Sequence, residues 1–310
     1  MLKKEIYDAI IIGAGPSGLT AGIYLSRAKL KTLILEKYVV GGTVNLTYEV
    51  KNFPGFVNIN GAELMSKMYE QAINCGVEIK YEDALEYVLD KKIKEIVTKN
   101  GTFYAKSVIL CNGASAKKLG LEKEDLLTGK GISYCATCDG AFFKDQIVAV
   151  VGGGNTACED AIYLSNLAKT VYVLVRKPDM KADKVLIDSV LSRKNIKILF
   201  NTQVSALLGE EKLEGVSVID SLDKSEKTIS LNGLFVAIGR VPMMQNLPKD
   251  LKTSKGGFVI TNEDMETNIK GVYACGDIRE KTVKQIVTAC SDGAIAGSCA
   301  GKYVNSLKED

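Results

Sequence analysis

Short, almost wholly apolar runs separated by polar, glycine-bearing turns dominate the chain, and the first of them sets a pattern that returns. Tyr7-Asp-Ala-Ile-Ile-Ile12 reads as a buried strand ending in Gly13-Ala-Gly-Pro-Ser-Gly18. Residues 19–27 are compatible with a helix, and residues 32–35 form a second strand that delivers Glu36. The same order recurs at Ile147–Val151, with Gly152-Gly-Gly-Asn-Thr-Ala157, a helical stretch through Ser165 and a strand over residues 171–174. These two copies of strand, turn, helix and strand make an internal repeat. Apolar segments at residues 196–200, 215–219 and 234–238 are separated by charged turns and predict antiparallel strands that complete a nucleotide domain. The chain then passes Gly239-Arg-Val-Pro242 and reaches Gly271-Val-Tyr-Ala-Cys-Gly-Asp277, whose end offers a carboxylate to a ligand hydroxyl.

In such a unit the first glycine permits a tight turn, the second lets the backbone approach a pyrophosphate, and the third lets helix pack on strand. The helix N-terminus then faces the phosphates. One glycine motif alone is weak, because an ordinary glycine-rich loop carries the same letters. Two copies, each after a strand and before a helix, are much more specific. Candidate contacts are Gly13, Gly15, Pro16, Ser17 and Gly18 in the first copy, and Gly152, Gly154, Asn155, Thr156 and Ala157 in the second. The expected fold class is α/β, with two Rossmann-like, three-layer dinucleotide-binding domains, one inserted within the other.

The copies differ where the nucleotide is chosen. Glu36 lies 23 residues after Gly13, where a carboxylate accepts hydrogen bonds from ribose hydroxyls; Lys37 follows it. The equivalent position after Gly152 is Val175, followed by Arg176, Lys177 and Lys181, a cluster suited to a 2′-phosphate. A solvated basic strand end is the alternative. The preferred reading is FAD in the first site and NADPH in the second, with NADH less suited.

Composition narrows the chemistry. The 310 residues are 46% hydrophobic and 25% charged, enough for two ordinary cores. A net charge of +3 spread along the chain shows no footprint for nucleic acid or a membrane surface. The apolar runs are too short to span a bilayer, and the start Met1-Leu-Lys-Lys-Glu lacks a signal-peptide core, so a cytoplasmic protein is expected. The absence of histidine removes Ser-His-Asp and Cys-His catalysis, histidine metal ligands and a histidine general base.

Of eight cysteines only Cys135 and Cys138 form a motif. A CxxC pair exchanges readily with dithiols. With no second CxxC and no histidine to complete four ligands, no metal site is expected. Asp139 is the acid–base candidate, a turn or capping residue being the alternative. The other six cysteines are expected to behave as buried small hydrophobes, and Cys275, beside Gly276-Asp277, to lie close to a flavin.

Cys135-Ala-Thr-Cys-Asp-Gly140, Gly152-Gly-Gly-Asn-Thr-Ala157 and Ala274-Cys-Gly-Asp277 together resemble the low-molecular-weight bacterial thioredoxin reductases, over essentially the whole chain. Gly41-Gly42 followed by Asn52-Phe-Pro-Gly55 is similar to that family's FAD loop, Asn112-Gly113 to its crossover, and Lys284-Gln285 to its Arg-Gln pair near the flavin. The resemblance implies a homodimer with a discontinuous FAD domain, residues 1–113 and 245–310, around an NAD(P)H domain, residues 114–244, that carries the disulfide. It implies Gly42, Thr43, Asn52, Gly113, Gly276, Asp277, Lys284 and Gln285 as flavin contacts. It further implies electron flow from NADPH through FAD to Cys135–Cys138 and on to thioredoxin. Cys138 would face the flavin, Cys135 attack thioredoxin and Asp139 protonate the departing thiolate, with the small domain rotating about hinges near 113 and 244.

Three positions depart from the family. The usual His-Arg-Arg-x-x-x-Arg run is Val175-Arg-Lys-Pro-Asp-Met-Lys181, Thr43 stands where relatives often carry Gln, and Lys284 replaces Arg. The first departure keeps NADH, ferredoxin or a deazaflavin open as donor. Other readings are a ferredoxin- or flavodoxin-NADP reductase, against which the CxxC argues, the flavoprotein partner of a peroxidase, for whose extra N-terminal domain the position of Gly13 leaves no room, and a flavin-based redox sensor.

Overall fold

The structure, a computed structural model, describes residues 5–47 and 50–307; the charged start read above at residues 1–4 lies outside them. The chain divides into two compact units, Met1–Ser115 with Val241–Asp310, and Ala116–Arg240. The first opens with β1 (Ile6–Ile12), α1 (Pro16–Arg27), β2 (Thr32–Glu36), α2 (Gly61–Asn74) and β3 (Glu78–Tyr81). β4 (Glu86–Val88), β5 (Lys94–Thr98) and β6 (Gly101–Leu110) follow. β1 is apolar from Ala9 onward because both of its faces are covered: Ala9 and Ile11 join one core, Ile10 and Ile12 the other. α1 starts on Pro16, whose missing N–H is no loss in a first turn, and buries Leu19, Ile23 and Leu25. Each such burial contributes about 1.5–3 kcal/mol.

β7 (Ala114–Ala116) carries the chain out. The second unit runs α3 (Glu124–Leu127), β8 (Ile132–Ser133), α4 (Ala136–Asp139), β9 (Ile147–Val151), α5 (Asn155–Ser165), β10 (Thr170–Leu174), α6 (Lys184–Leu191) and β11 (Ile196–Leu199). Its remaining strands are β12 (Thr202–Leu208), β13 (Gly215–Asp220), β14 (Glu226–Ser230) and β15 (Gly233–Val236). β16 (Arg240–Pro242) returns alongside β7, and β17 (Val272–Ala274) and α7 (Ile286–Ser306) complete the first unit.

The first sheet has the order β3-β2-β1-β6-β5-β4, with β17 also on β6; all but β4 and β5 are parallel. The second, β11-β10-β9-β15-β8, is wholly parallel. This corrects the antiparallel reading of residues 196–200 and 234–238, which are β11 and β15. β15 is buried at every position between β9 and β8, and a strand covered on both faces belongs to a parallel sheet. Only the segment at 215–219 is antiparallel, inside the small β12-β13-β14 sheet. In β9, Val148 and Val150 face one core and Ala149 and Val151 the other, repeating β1. The α/β class with two dinucleotide-type units is thus met. Among the described residues no helix is long and apolar enough to cross a membrane.

Candidate active site

In the first unit the candidate residues gather at the carboxyl ends of β1, β2, β6 and β17, where open parallel sheets bind ligands. Gly13 turns at φ +102°, and a Cβ there would lie 2.6 Å from the Cys111 carbonyl oxygen. A Cβ on Gly18 would lie 1.9 Å from the Gly13 oxygen, so helix and turn touch backbone to backbone. A Cβ on Gly15 would meet nothing within 4 Å, and the first turn of α1 has neither a side-chain cap nor an acidic residue. Its N–H groups are open to an anion. Glu36 accepts from Ala14 N at 2.7 Å and Tyr38 N at 2.8 Å, one bond per oxygen, which leaves lone pairs for ribose hydroxyls. Asn112 Oδ1 is buried with no partner among the described residues. An open helix start, a carboxylate at the end of β2 and an unpaired buried acceptor fit a dinucleotide.

The other candidates of this unit divide. Gly276 meets Ser17, since its missing Cβ would lie 2.6 Å from the Ser17 Oγ. Asn52 Nδ2 donates to Gln285 Oε1 at 3.1 Å across 233 positions, and Gln285 caps α7 through a box with Thr288. Gly42 and Thr43 form a short 3-10 turn, both exposed, and Gly113 turns at φ +76°. Lys37 is engaged with Asp83 at 3.0 Å. Lys284 donates to the carbonyls of Asp277 and Arg279, at 2.7 and 2.8 Å, and lies over the Phe258 ring. Sequence reasoning missed Asp292, buried on α7, which bonds Arg279 at 2.9 Å and Lys281 at 2.8 Å and accepts from Gly276 N at 3.0 Å. A carboxylate amid the small residues of Ala289-Cys-Ser-Asp-Gly-Ala294 was the available signal.

In the second unit Gly152 turns at φ +148°, and α5 likewise starts without a side-chain cap or acidic residue. Val175 is buried, and its Cγ1 would be 2.9 Å from a Cβ on Gly153, so an apolar side chain closes against the turn where Glu36 stands in the first unit. Met180 is buried and Lys181 N donates to Gly153 O at 2.6 Å, folding the 176–181 loop back over the turn. Arg176, Lys177 and Lys181 are all exposed around it. Asn155 is tied to Asp183 by two hydrogen bonds of 2.8 Å, Thr156 is exposed, and Ala157 is buried under the turn.

Cys135 and Cys138 form a disulfide with a Cα–Cα distance of 5.3 Å, on the single turn α4. Ser133, another residue the sequence reading missed, organises it. Its Oγ donates to Asp139 Oδ2 at 2.6 Å and accepts from Cys135 N at 3.0 Å, so one hydroxyl links the carboxylate to the redox pair. Asp139 caps nothing; burial pushes its carboxyl up, against the Ser133 bond that favours the charged form. Next to the pair, Tyr134 OH donates to buried Glu124 at 2.8 Å, and the same carboxylate accepts from Leu119 N at 2.8 Å and Gly120 N at 2.7 Å. Among the described residues no group of three or more His, Cys, Asp or Glu could hold a metal ion.

Asp160 on α5 is the other perturbed carboxyl: burial and the charge of Glu159 push it up to about 7, against the pull of Arg240. The unfolded chain releases this proton near the ordinary value of 3.8, so between about 4 and about 7 the folded state holds more protons and stability falls as pH rises. Asp160→Asn is expected to remove that slope. Urea unfolding should show the variant more stable than the parent by roughly 1 kcal/mol or more at about pH 8, and indistinguishable from it at about pH 4.

Two nucleotide-type units and a CxxC disulfide define a disulfide oxidoreductase that works with dinucleotides. The chain belongs to the pyridine nucleotide-disulphide oxidoreductase family, whose pattern matches residues 7–293. A thioredoxin reductase of Listeria monocytogenes is 41% identical over 308 residues, covering 99% of this chain and 97% of that protein. One of Bacillus subtilis is 40% identical over 310 residues, covering 100% and 98%. The crystal structure of thioredoxin reductase from Streptococcus pyogenes superposes with a TM-score of 0.89 at 37% identity, over 98% of this chain and 100% of that one.

Proposed function

We infer that this chain is a thioredoxin-disulfide reductase that passes electrons from NADPH through FAD and the Cys135–Cys138 disulfide to thioredoxin, as a cytoplasmic homodimer. The observation that carries the reading is the closed Cys135–Cys138 pair with Asp139 beside it, joined through Ser133, in the unit that holds the second glycine turn. Glu36 and the open start of α1 favour the adenosine and pyrophosphate of FAD in the first unit. Buried Val175 and the three cations around the second turn favour the 2′-phosphate of NADPH over a free ribose hydroxyl.

The flavin, when bound, supplies two-electron exchange between nicotinamide and disulfide. The chain's own residues do the rest. Two electrons and two protons open Cys135–Cys138 to a dithiol, and Asp139, whose carboxyl burial pushes up, is placed to give the proton that Cys138 takes. Cys135 as thiolate attacks one sulfur of the thioredoxin disulfide, releasing the other as a thiol. Cys138 then attacks the Cys135 sulfur of the mixed disulfide, which frees reduced thioredoxin and restores the pair.

Anaerobic mixing of flavin-loaded protein with NADPH, NADH or reduced ferredoxin, followed by thioredoxin, tests this. NADPH should bleach the flavin fastest and support thioredoxin reduction. The triple variant Arg176→Ala/Lys177→Ala/Lys181→Ala should raise the NADPH KM by roughly 10–100-fold and leave NADH unchanged, the effect of losing one or two charge-assisted bonds. Bleaching by ferredoxin alone would make the three cations a solvated strand end and overturn the donor.

A further inference from the structure

A second pair of sulfur atoms faces one another in the first unit. Cys111 follows the last residue of β6 and Cys275 the last residue of β17, parallel neighbours whose register pairs Leu110 with Ala274. The next position in that register sets Cys111 opposite Cys275, and Cys275 N donates to Leu110 O at 3.0 Å. Paired residues on neighbouring strands lie about 4.8 Å apart. That falls inside the Cα–Cα range of about 4.4–6.8 Å that a disulfide spans. Both side chains are buried in the same core, and their Sγ atoms are 3.1 Å apart with no atom between them. A small hydrophobe's role accounts for either cysteine singly. It gives no reason for two thiols in register with their sulfurs in contact.

We propose that Cys111 and Cys275 are a second redox pair, a buried dithiol that a small uncharged peroxide such as hydrogen peroxide converts to a disulfide. One sulfur attacks the peroxide O–O bond, becoming a sulfenic acid and releasing one water. The other thiol displaces the sulfenic oxygen as a second water and closes the S–S bond, so two thiols and one peroxide give one disulfide and two waters. Burial pushes the Cys111 thiol well up. Cys111 therefore rests as a neutral thiol, and because both side chains are buried a bulky or charged oxidant, such as a glutathione-type disulfide, has no path to the pair. The bond would join the residues that open two turns, Asn112-Gly113 and Gly276-Asp277, and clamp β6 to β17 beneath them.

The test uses flavin-loaded wild-type protein and a Cys135→Ser/Cys138→Ser variant, which has no CxxC to exchange with. Each is treated with hydrogen peroxide, alkylated under denaturing conditions, digested without reductant and mapped by mass spectrometry. In both, a peptide pair joined through Cys111 and Cys275 should appear, grow with peroxide dose and vanish after dithiothreitol. The oxidised double variant should unfold several degrees higher than its reduced form, and Cys275→Ala in that background should lose the shift. Alkylated Cys111 and Cys275, or separate sulfinic acids at the two positions, at doses that fully close Cys135–Cys138 in the wild type would overturn the proposal.

Discussion

Thioredoxin reduction is expected to vanish in Cys138→Ser while NADPH still bleaches the flavin of the same protein. A serine oxygen cannot form or accept a disulfide, and exchange with thioredoxin proceeds only through a thiolate attacking a disulfide sulfur, so turnover should fall by roughly 10³-fold or more, to assay background. The fold should not suffer. Cys138 is only partly buried, and the ring closed by the disulfide is too short for its loss to release much chain entropy. Flavin spectra and thermal midpoints near those of the reduced parent would therefore accompany the loss. A variant that still reduced thioredoxin at the parental rate would remove the pair from the chemistry and return Asp139 and Ser133 to a purely structural role.

Gly15→Ala should separate folding from flavin binding. The protein has room for this methyl group: nothing lies within 4 Å of it, and Gly15 has φ −72°, which alanine adopts freely. Thermal stability should stay within about 0.5 kcal/mol of the parent once flavin is stripped from both. The space it fills is the approach to the open N–H groups of α1, so flavin affinity should drop by on the order of 10²-fold, as two charge-assisted bonds lengthen. Equilibrium dialysis or fluorescence titration of the stripped protein reads this directly. Gly18→Ala is the contrast, because its methyl would sit 1.9 Å from the Gly13 oxygen and should prevent stable folding. Equal flavin affinity in Gly15→Ala and the parent would place the pyrophosphate elsewhere.

Much of this protein is written locally. Ala9 to Ile12 and Val148 to Val151 are continuous apolar runs because each strand is covered on both faces, and such a run is visible without knowing what covers it. The glycine turns are equally legible, since the positive φ that Gly13 and Gly152 adopt belongs to the turn itself, although the backbones they lie against come from far along the chain. The CxxC needs only two cysteines one turn apart. For these features cause and effect sit in one short stretch of chain.

Tertiary structure decided the rest, because there the partners come from far along the chain. The direction of β11 and β15 follows from which strand each lies beside, and their own residues are the same for either direction. Ser133 and Asp139 are near in sequence, yet their bond depends on how α4 leaves β8. Asp292 acquires its partners only when the fold brings Gly276, Arg279 and Lys281 to it. Asp160 acquires its high pKa from burial, against the opposing charge of Arg240 eighty positions away, and Cys111 meets Cys275 across 164. Hydrophobic pattern and backbone conformation are properties of a segment, whereas desolvation, ion pairing and thiol contact are properties of a packed neighbourhood that exists only once the sheets have formed.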